Sequence, residues 1–256
     1  MLVTAIVLGA VMVVPLAAMV RRSFDVGDGW SLDAWRQLGG VRRRGLSLGI
    51  DVWASMWQSL RFAAVAAVLA TVAGGLAALA ITASGRAGRL LDAGTMLPLG
   101  TSAVTIGFGM LLAFGRAPFE WRAKWWLVPV GQALVATPFV VRLLVPALRS
   151  IPADLRAAAA TLGASPVRAW LAVDGRAVAR PLAAGAGFAA AISLGEFGAT
   201  TFLTRTGRET LPIAVGKLLG RPGELNRAQG FATATVLLVL AGVILAVADA
   251  GTRERT

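Results

Sequence analysis

Six stretches of the chain stay apolar for the length of a bilayer crossing: 2–20, 62–83, 93–115, 125–148, 182–203 and 228–248. Four carry no charge; Arg142 lies near the end of the fourth and Glu196 interrupts the fifth. About 20 apolar residues take a helix across the hydrocarbon core. Backbone polar groups find no water there, so each segment must satisfy them internally, which selects helices. An outer-membrane barrel would alternate with period two over strands of about ten residues, and these runs do not alternate. The composition agrees. Hydrophobic residues make up 57%, charged residues 15%, and mean hydropathy is +0.72, against roughly 45–50% and 25% in soluble domains. The sequence therefore predicts an all-α membrane protein, one domain over 1–256 with six transmembrane helices. The alternative for 2–20 is a cleavable signal peptide. That run lacks a basic start, is long for such a segment, and offers only Ala17-Ala18 as a cleavage cue.

Missing residue types narrow the chemistry. The chain has no Cys, His or Tyr, which removes thiol nucleophiles, thiolate metal sites and the commonest general base. No glycine-rich phosphate loop of the Walker type is present. The sequence thus predicts no catalytic residues, no metal site and no cofactor of its own. The formal charge is +12, from 25 Lys+Arg against 13 Asp+Glu. In so apolar a chain that excess points to lipid headgroups rather than to nucleic acid.

Among the joins, 21–58 is long and polar, with four tryptophans and the triplet Arg42-Arg43-Arg44, and 116–124 leads into Trp125-Trp126, an interfacial pattern. The connection 149–181 has a structure of its own. Pro152 or Asp154 starts a helix, Arg156 to Leu162 is alanine-rich, and Gly163 is suited to a left-handed stop. Ser165-Pro166 then reads as an N-cap followed by Pro at the first helical position, and Pro181 opens the fifth span. A short helix, a glycine corner and a second helix on one side of the membrane suit docking into a groove of a partner.

At these residues the chain resembles the permease subunits of binding-protein-dependent ABC importers. Their loop reads Glu-Ala-Ala, three residues, then Gly. Ala158, Ala159 and Gly163 match in register, while Ala157 stands in place of the Glu, and Gly175-Arg176 in place of Leu-Pro. Downstream, 188–200 reads Phe-Ala-Ala-Ala-Ile-Ser-Leu-Gly-Glu-Phe-Gly-Ala-Thr, and Thr210-Leu-Pro-Ile follows. This combination is similar to the thiamine, ferric-iron, molybdate and sulfate branch. Arg176 with Arg180-Pro181-Leu182-Ala183 is most similar to the second half of thiamine permeases.

The resemblance implies the type I importer permease fold and an ATPase-coupling loop at Arg156, Ala157, Ala158, Ala159, Gly163, Ala164, Ser165 and Pro166. It implies ABC ATPase subunits that carry ATP and magnesium, an extracytoplasmic binding protein, and a second permease unit, either another copy or a partner half. A single copy is not expected to conduct. Thiamine is the expected solute, with ferric iron, molybdate or sulfate as alternatives; a secondary transporter or a membrane scaffold are readings from other classes. Thr210-Leu211-Pro212 would begin a short outer helix. The chain is expected in the plasma membrane with both termini cytoplasmic. Charge opposes that orientation: 9 Lys and Arg fall inside and 14 outside, against the positive-inside rule.

Ser193, Glu196, Thr200 and Thr201 are the candidates for a polar translocation path. Glu196 is an ionisable group inside a span, a functional residue by default. The same Gly-Glu-Phe-Gly pattern occurs in anion permeases, which favours a structural role, and the hydroxyls have the alternative of bonding their own helix. Glycines 107, 109, 185, 187, 195 and 198 read as close helix packing, and Pro129 and Pro138 as kinks in the fourth span.

Overall fold

The computed structural model describes residues 2–253 except 28, 44, 45, 117, 122, 123 and 206, so Arg44 of the basic triplet lies outside it. In chain order the helices are α1 Leu2–Arg22, α2 Asp33–Arg36, α3 Val52–Ala83, α4 Gly85–Gly100, α5 Ala103–Ala113, α6 Leu127–Arg149, α7 Ala153–Thr161 and α8 Pro166–Trp170. A π turn, Leu171–Gly175, then leads into α9 Arg176–Gly195, α10 Gly198–Leu203, α11 Leu211–Leu219 and α12 Glu224–Arg253. A two-stranded hairpin, β1 Val41–Arg43 and β2 Leu46–Leu48, sits in the first long connection.

Four helical stretches are long and apolar enough to cross a membrane: Val52–Ala83, Leu127–Arg149, Pro166–Gly195 and Glu224–Gly251. α4 and α5 together would make a fifth. α1 covers the predicted first span with 21 residues, about 30 Å at 1.5 Å per residue.

Several expectations change. α3 starts ten residues before the predicted second span, so Trp53 and Trp57 are helical rather than in a loop. The third run is not one rod: α4 and α5 meet at a bend of 99°. Pro98 lacks the N–H that would continue the ladder, and Thr101 and Ser102 take extended backbone. The fifth run also breaks, at Glu196, whose backbone is extended, before α10 resumes. Pro181 does not open the fifth span; it lies inside α9, because helix already runs from Pro166. Pro129 falls in the first turn of α6, where its missing N–H has no partner to lose.

The chain divides into two compact units. The first takes residues up to Leu60 with Thr204–Ala241; the second takes Arg61–Leu203 and the chain from Gly242. Within the first, Leu38, Val52, Leu211, Leu218 and Ala232 form a buried cluster. The Leu211 N–H at the start of α11 donates to the Ser59 hydroxyl at 2.7 Å. The loop before α11 is held by Glu209, which accepts from the Lys217 ammonium at 2.9 Å and the Gly207 N–H at 3.1 Å. Burial raises the Glu209 carboxyl, but the Lys217 bond and backbone donors outweigh it and hold the group below its ordinary value.

The second unit is centred on α6, which packs most extensively on α9. Its core is built from small and branched side chains: Ala66, Ala70 and Ala78 of α3, Ala136, Val140 and Val141 of α6, and Ala189 of α9. Small residues let helices approach closely where lipid supplies no hydrophobic drive. A Cβ on Gly74 would lie 2.8 Å from Val140, and one on Gly187 would meet Ala248. The packing glycines predicted from sequence divide: Gly107 and Gly198 sit against the backbones of Ala199 and Val104, whereas Gly109 and Gly195 have open space where a Cβ would go.

Gly107→Ala is accordingly expected to destabilise by about 1–3 kcal/mol and Gly109→Ala by less than about 0.5 kcal/mol, read as apparent melting temperatures in detergent. For Glu209 the sign follows from its lowered pKa. Its contribution is present above the unfolded carboxylate value and fades as pH falls through the folded one. The melting difference between the wild type and Glu209→Gln should hold from pH 8 to 5 and shrink below about pH 4.

Candidate functional site

The loop between α6 and α9 folds from its local sequence. Pro152 takes extended backbone and α7 follows, with Asp154 in its first turn, where a negative charge favours the helix dipole. The helix stops in a Schellman motif: the Ala164 N–H donates to the Ala159 carbonyl at 3.1 Å and the Gly163 N–H to the Ala160 carbonyl at 3.0 Å. Gly163 has φ +76°, a conformation that glycine adopts without strain. Ser165 caps α8, with Pro166 at its first position. Arg156, Ala157, Ala158 and Ala159 therefore share α7, while Gly163, Ala164, Ser165 and Pro166 make the corner and the start of α8.

Large apolar side chains stand out from this element. Leu162 is 87% exposed and Val167 68%, with Leu155 and Leu171 also exposed. Leu155 and Leu162 precede the apolar stretch Pro166–Gly195, and Val167 and Leu171 lie in its first turns, so the four gather at the helical corner.

Arg156 behaves differently from the loop cation expected from sequence. Its Nε donates to both Asp174 carboxylate oxygens at 3.0 Å, and its Nη2 also bonds Oδ1. The hydrogen bond to Asp174 raises the Arg156 pKa against partial desolvation. Asp174, in the π turn, is 1% exposed.

The four path candidates do not all converge. Glu196 is 7% exposed, and its carboxylate accepts from the Ala199 and Thr200 N–H groups at 2.8 and 2.9 Å and from the Thr200 hydroxyl at 2.6 Å. It is the N-cap acceptor for α10. Thr200 also accepts from the Gln132 side-chain N–H of α6 at 3.2 Å, so these three residues form one buried chain of hydrogen bonds. Ser193 is buried beside the break, and its hydroxyl has no partner among the described residues. Thr201 turns outward and bonds the Phe197 carbonyl at 2.6 Å, the helix-bonding alternative.

Two residues here were missed from sequence. Gln132 carried a signal, as the one side-chain amide within the run 125–148. Asp174 carried none, because its partner is 18 residues away. Among the described residues no three acidic side chains gather as a metal site would need.

Because the Glu196 carboxylate serves two backbone donors and a hydroxyl, Glu196→Ala should lower stability by about 1–3 kcal/mol. Glu196→Gln keeps an acceptor oxygen and should cost clearly less. Thermal unfolding of purified protein distinguishes the two.

No family model matches the chain. Curated relatives do. The chain is 30% identical over 194 residues to the putative 2-aminoethylphosphonate transport system permease protein PhnV of Salmonella paratyphi A, covering 73% of this chain and 70% of that protein. It is 27% identical over 206 residues to the thiamine transport system permease protein ThiP of Escherichia coli, covering 77% of this chain but 37% of that longer protein. It is 32% identical over 163 residues to the molybdenum transport system permease protein ModB of Haemophilus influenzae, covering 58% of this chain and 71% of that one. Among solved structures, an amino acid ABC transporter crystallised with histidines shares the fold, with a TM-score of 0.60 at 13% identity over 79% of this chain and 93% of the other. The apolar helices, the glycine-cornered loop and these relatives together place the chain: it belongs to the permease subunits of binding-protein-dependent ABC importers.

Proposed function

We propose that this permease imports a small organophosphonate of the 2-aminoethylphosphonate kind, delivered by an extracytoplasmic binding protein and driven by ABC ATPase subunits. The observation that carries the substrate reading is the likeness to the phosphonate permease over most of both chains. The Glu196 cap supports it: the carboxylate that would have suited a cationic cargo is taken up by α10. Thiamine is the second reading, favoured by Arg176 with Arg180-Pro181-Leu182-Ala183 and by the match to a thiamine permease.

In this reading 149–175 is the coupling element, and exposed Leu162 and Val167 enter a cleft of the ATPase. The element and both termini then face the cytoplasm, and a second permease unit completes the path. Ser193, buried without a hydrogen-bond partner beside the break, is the group of this chain best placed to meet a polar solute.

Deleting the gene in its host should abolish uptake of labelled 2-aminoethylphosphonate while leaving thiamine and molybdate uptake intact, and a plasmid copy should restore it. Unchanged phosphonate uptake would sink the first reading; lost thiamine uptake would establish the second. A plasmid copy carrying Leu162→Asp should fail to restore uptake and should not co-purify the ATPase.

A further inference from the structure

α7 is poorly anchored for an element that has to transmit force. Of its described side chains only Ala159 is even half-buried; the others are exposed. At one end it follows Ser150-Ile151-Pro152, and at the other it turns at Gly163, where a Cβ would meet nothing within 4 Å. Ile151 packs on the core just before the helix, but the helix itself brings little buried apolar surface. From its own side chains, Arg156 supplies a bond to the root of α9. Among the described residues, Asp174 receives its side-chain hydrogen bonds from Arg156 alone, through both carboxylate oxygens. A buried carboxylate without a counter-charge is strongly disfavoured, so the pair resists opening. Asp174 also sits in the π turn that roots α9. Single π turns inside helices carry an extra residue per turn and occur frequently at functional sites.

We propose that Arg156 and Asp174 form a latch that makes α7 and the root of α9 move as one body, so that displacement of the coupling element reaches the spans through this ion pair. This rests on the reading of 149–175 as the coupling element. Arg156 is then a positioning residue that acts through Asp174, with half of its own side chain still exposed. The latch also gives the loop a charged restraint although Ala157 stands where the family commonly has Glu.

The test uses the purified complex of the full permease with its ATPase, and a readout that does not depend on the transported solute. The chain has no cysteine, so Phe188→Cys, exposed on α9, takes a single bimane label whose fluorescence follows ATP-driven movement of that helix. In Arg156→Gln and Asp174→Asn the ATP-driven change, normalised to the ATPase that co-purifies, should fall about five- to tenfold. The exchange Arg156→Asp with Asp174→Arg should restore at least about half of it. Arg156→Lys, which keeps the charge and loses the fork, should retain more of the change than Arg156→Gln. An undiminished signal in the single variants would overturn the latch, as would equal signals from the Lys and Gln variants or an assembled exchange variant without recovery. The parent reading fails separately: Leu162→Asp would leave the ATPase bound.

Discussion

A backbone inside a bilayer has only itself and nearby side chains to bond to, and the fold follows from that constraint. Continuous helix meets it without help, which is why α1, α3, α6 and α12 run for 21 to 32 residues. Each interruption needs a local remedy. At Glu196 the carboxylate takes up two N–H groups of α10 and the Thr200 hydroxyl. At the other break, the Ser102 carbonyl accepts from Ile106 to open α5. The two interrupted segments pack together: Gly107 of α5 lies against the Ala199 backbone, and Gly198 of α10 against Val104. Short helices that could not stand alone in lipid are stabilised by each other and by α6.

The same constraint sets the style of packing. Apolar side chains gain little by leaving lipid for protein, so close contact must come from small residues and van der Waals fit. α6 illustrates it, with 61% of its most apolar 18-residue window buried against alanine, glycine and valine surfaces. α12, with 17% buried, keeps Val239, Val243 and Val247 outward. In this medium an exposed valine is an ordinary lipid-facing residue, and the same exposure on Leu162, outside the apolar stretches, has a different meaning.

How much of this the sequence disclosed depended on the range of the physics involved. Apolar runs are a local property, so the membrane class and the all-helical architecture were legible. The corner at Gly163 and the Ser165-Pro166 cap were legible too, since each depends on two to four consecutive residues. The breaks were not. Glu196 marked an interruption without saying that the helix stops there, and Thr101-Ser102 sit in an uncharged run that gave no sign of a 99° bend. Nor does the sequence say which glycine is pressed against a neighbour: Gly107 and Gly109 look alike in sequence, two residues apart on α5, and face opposite circumstances.

The two buried carboxylates sharpen the point. Glu196 is met by donors three and four residues ahead, so its role as a cap was open to a reader who weighed helix ends against transport. Asp174 is met by a guanidinium 18 residues back across a glycine corner, and only the folded loop brings them together. Both satisfy the rule that a buried charge needs a partner, yet they serve different ends. Backbone donors hold Glu196 at the break, and its network reaches α6 only through the Thr200 hydroxyl and Gln132. Arg156 bonds Asp174 directly across two separate helical elements. The first closes mainly on backbone donors and the second on two side chains alone, which is why local sequence discloses the one and not the other.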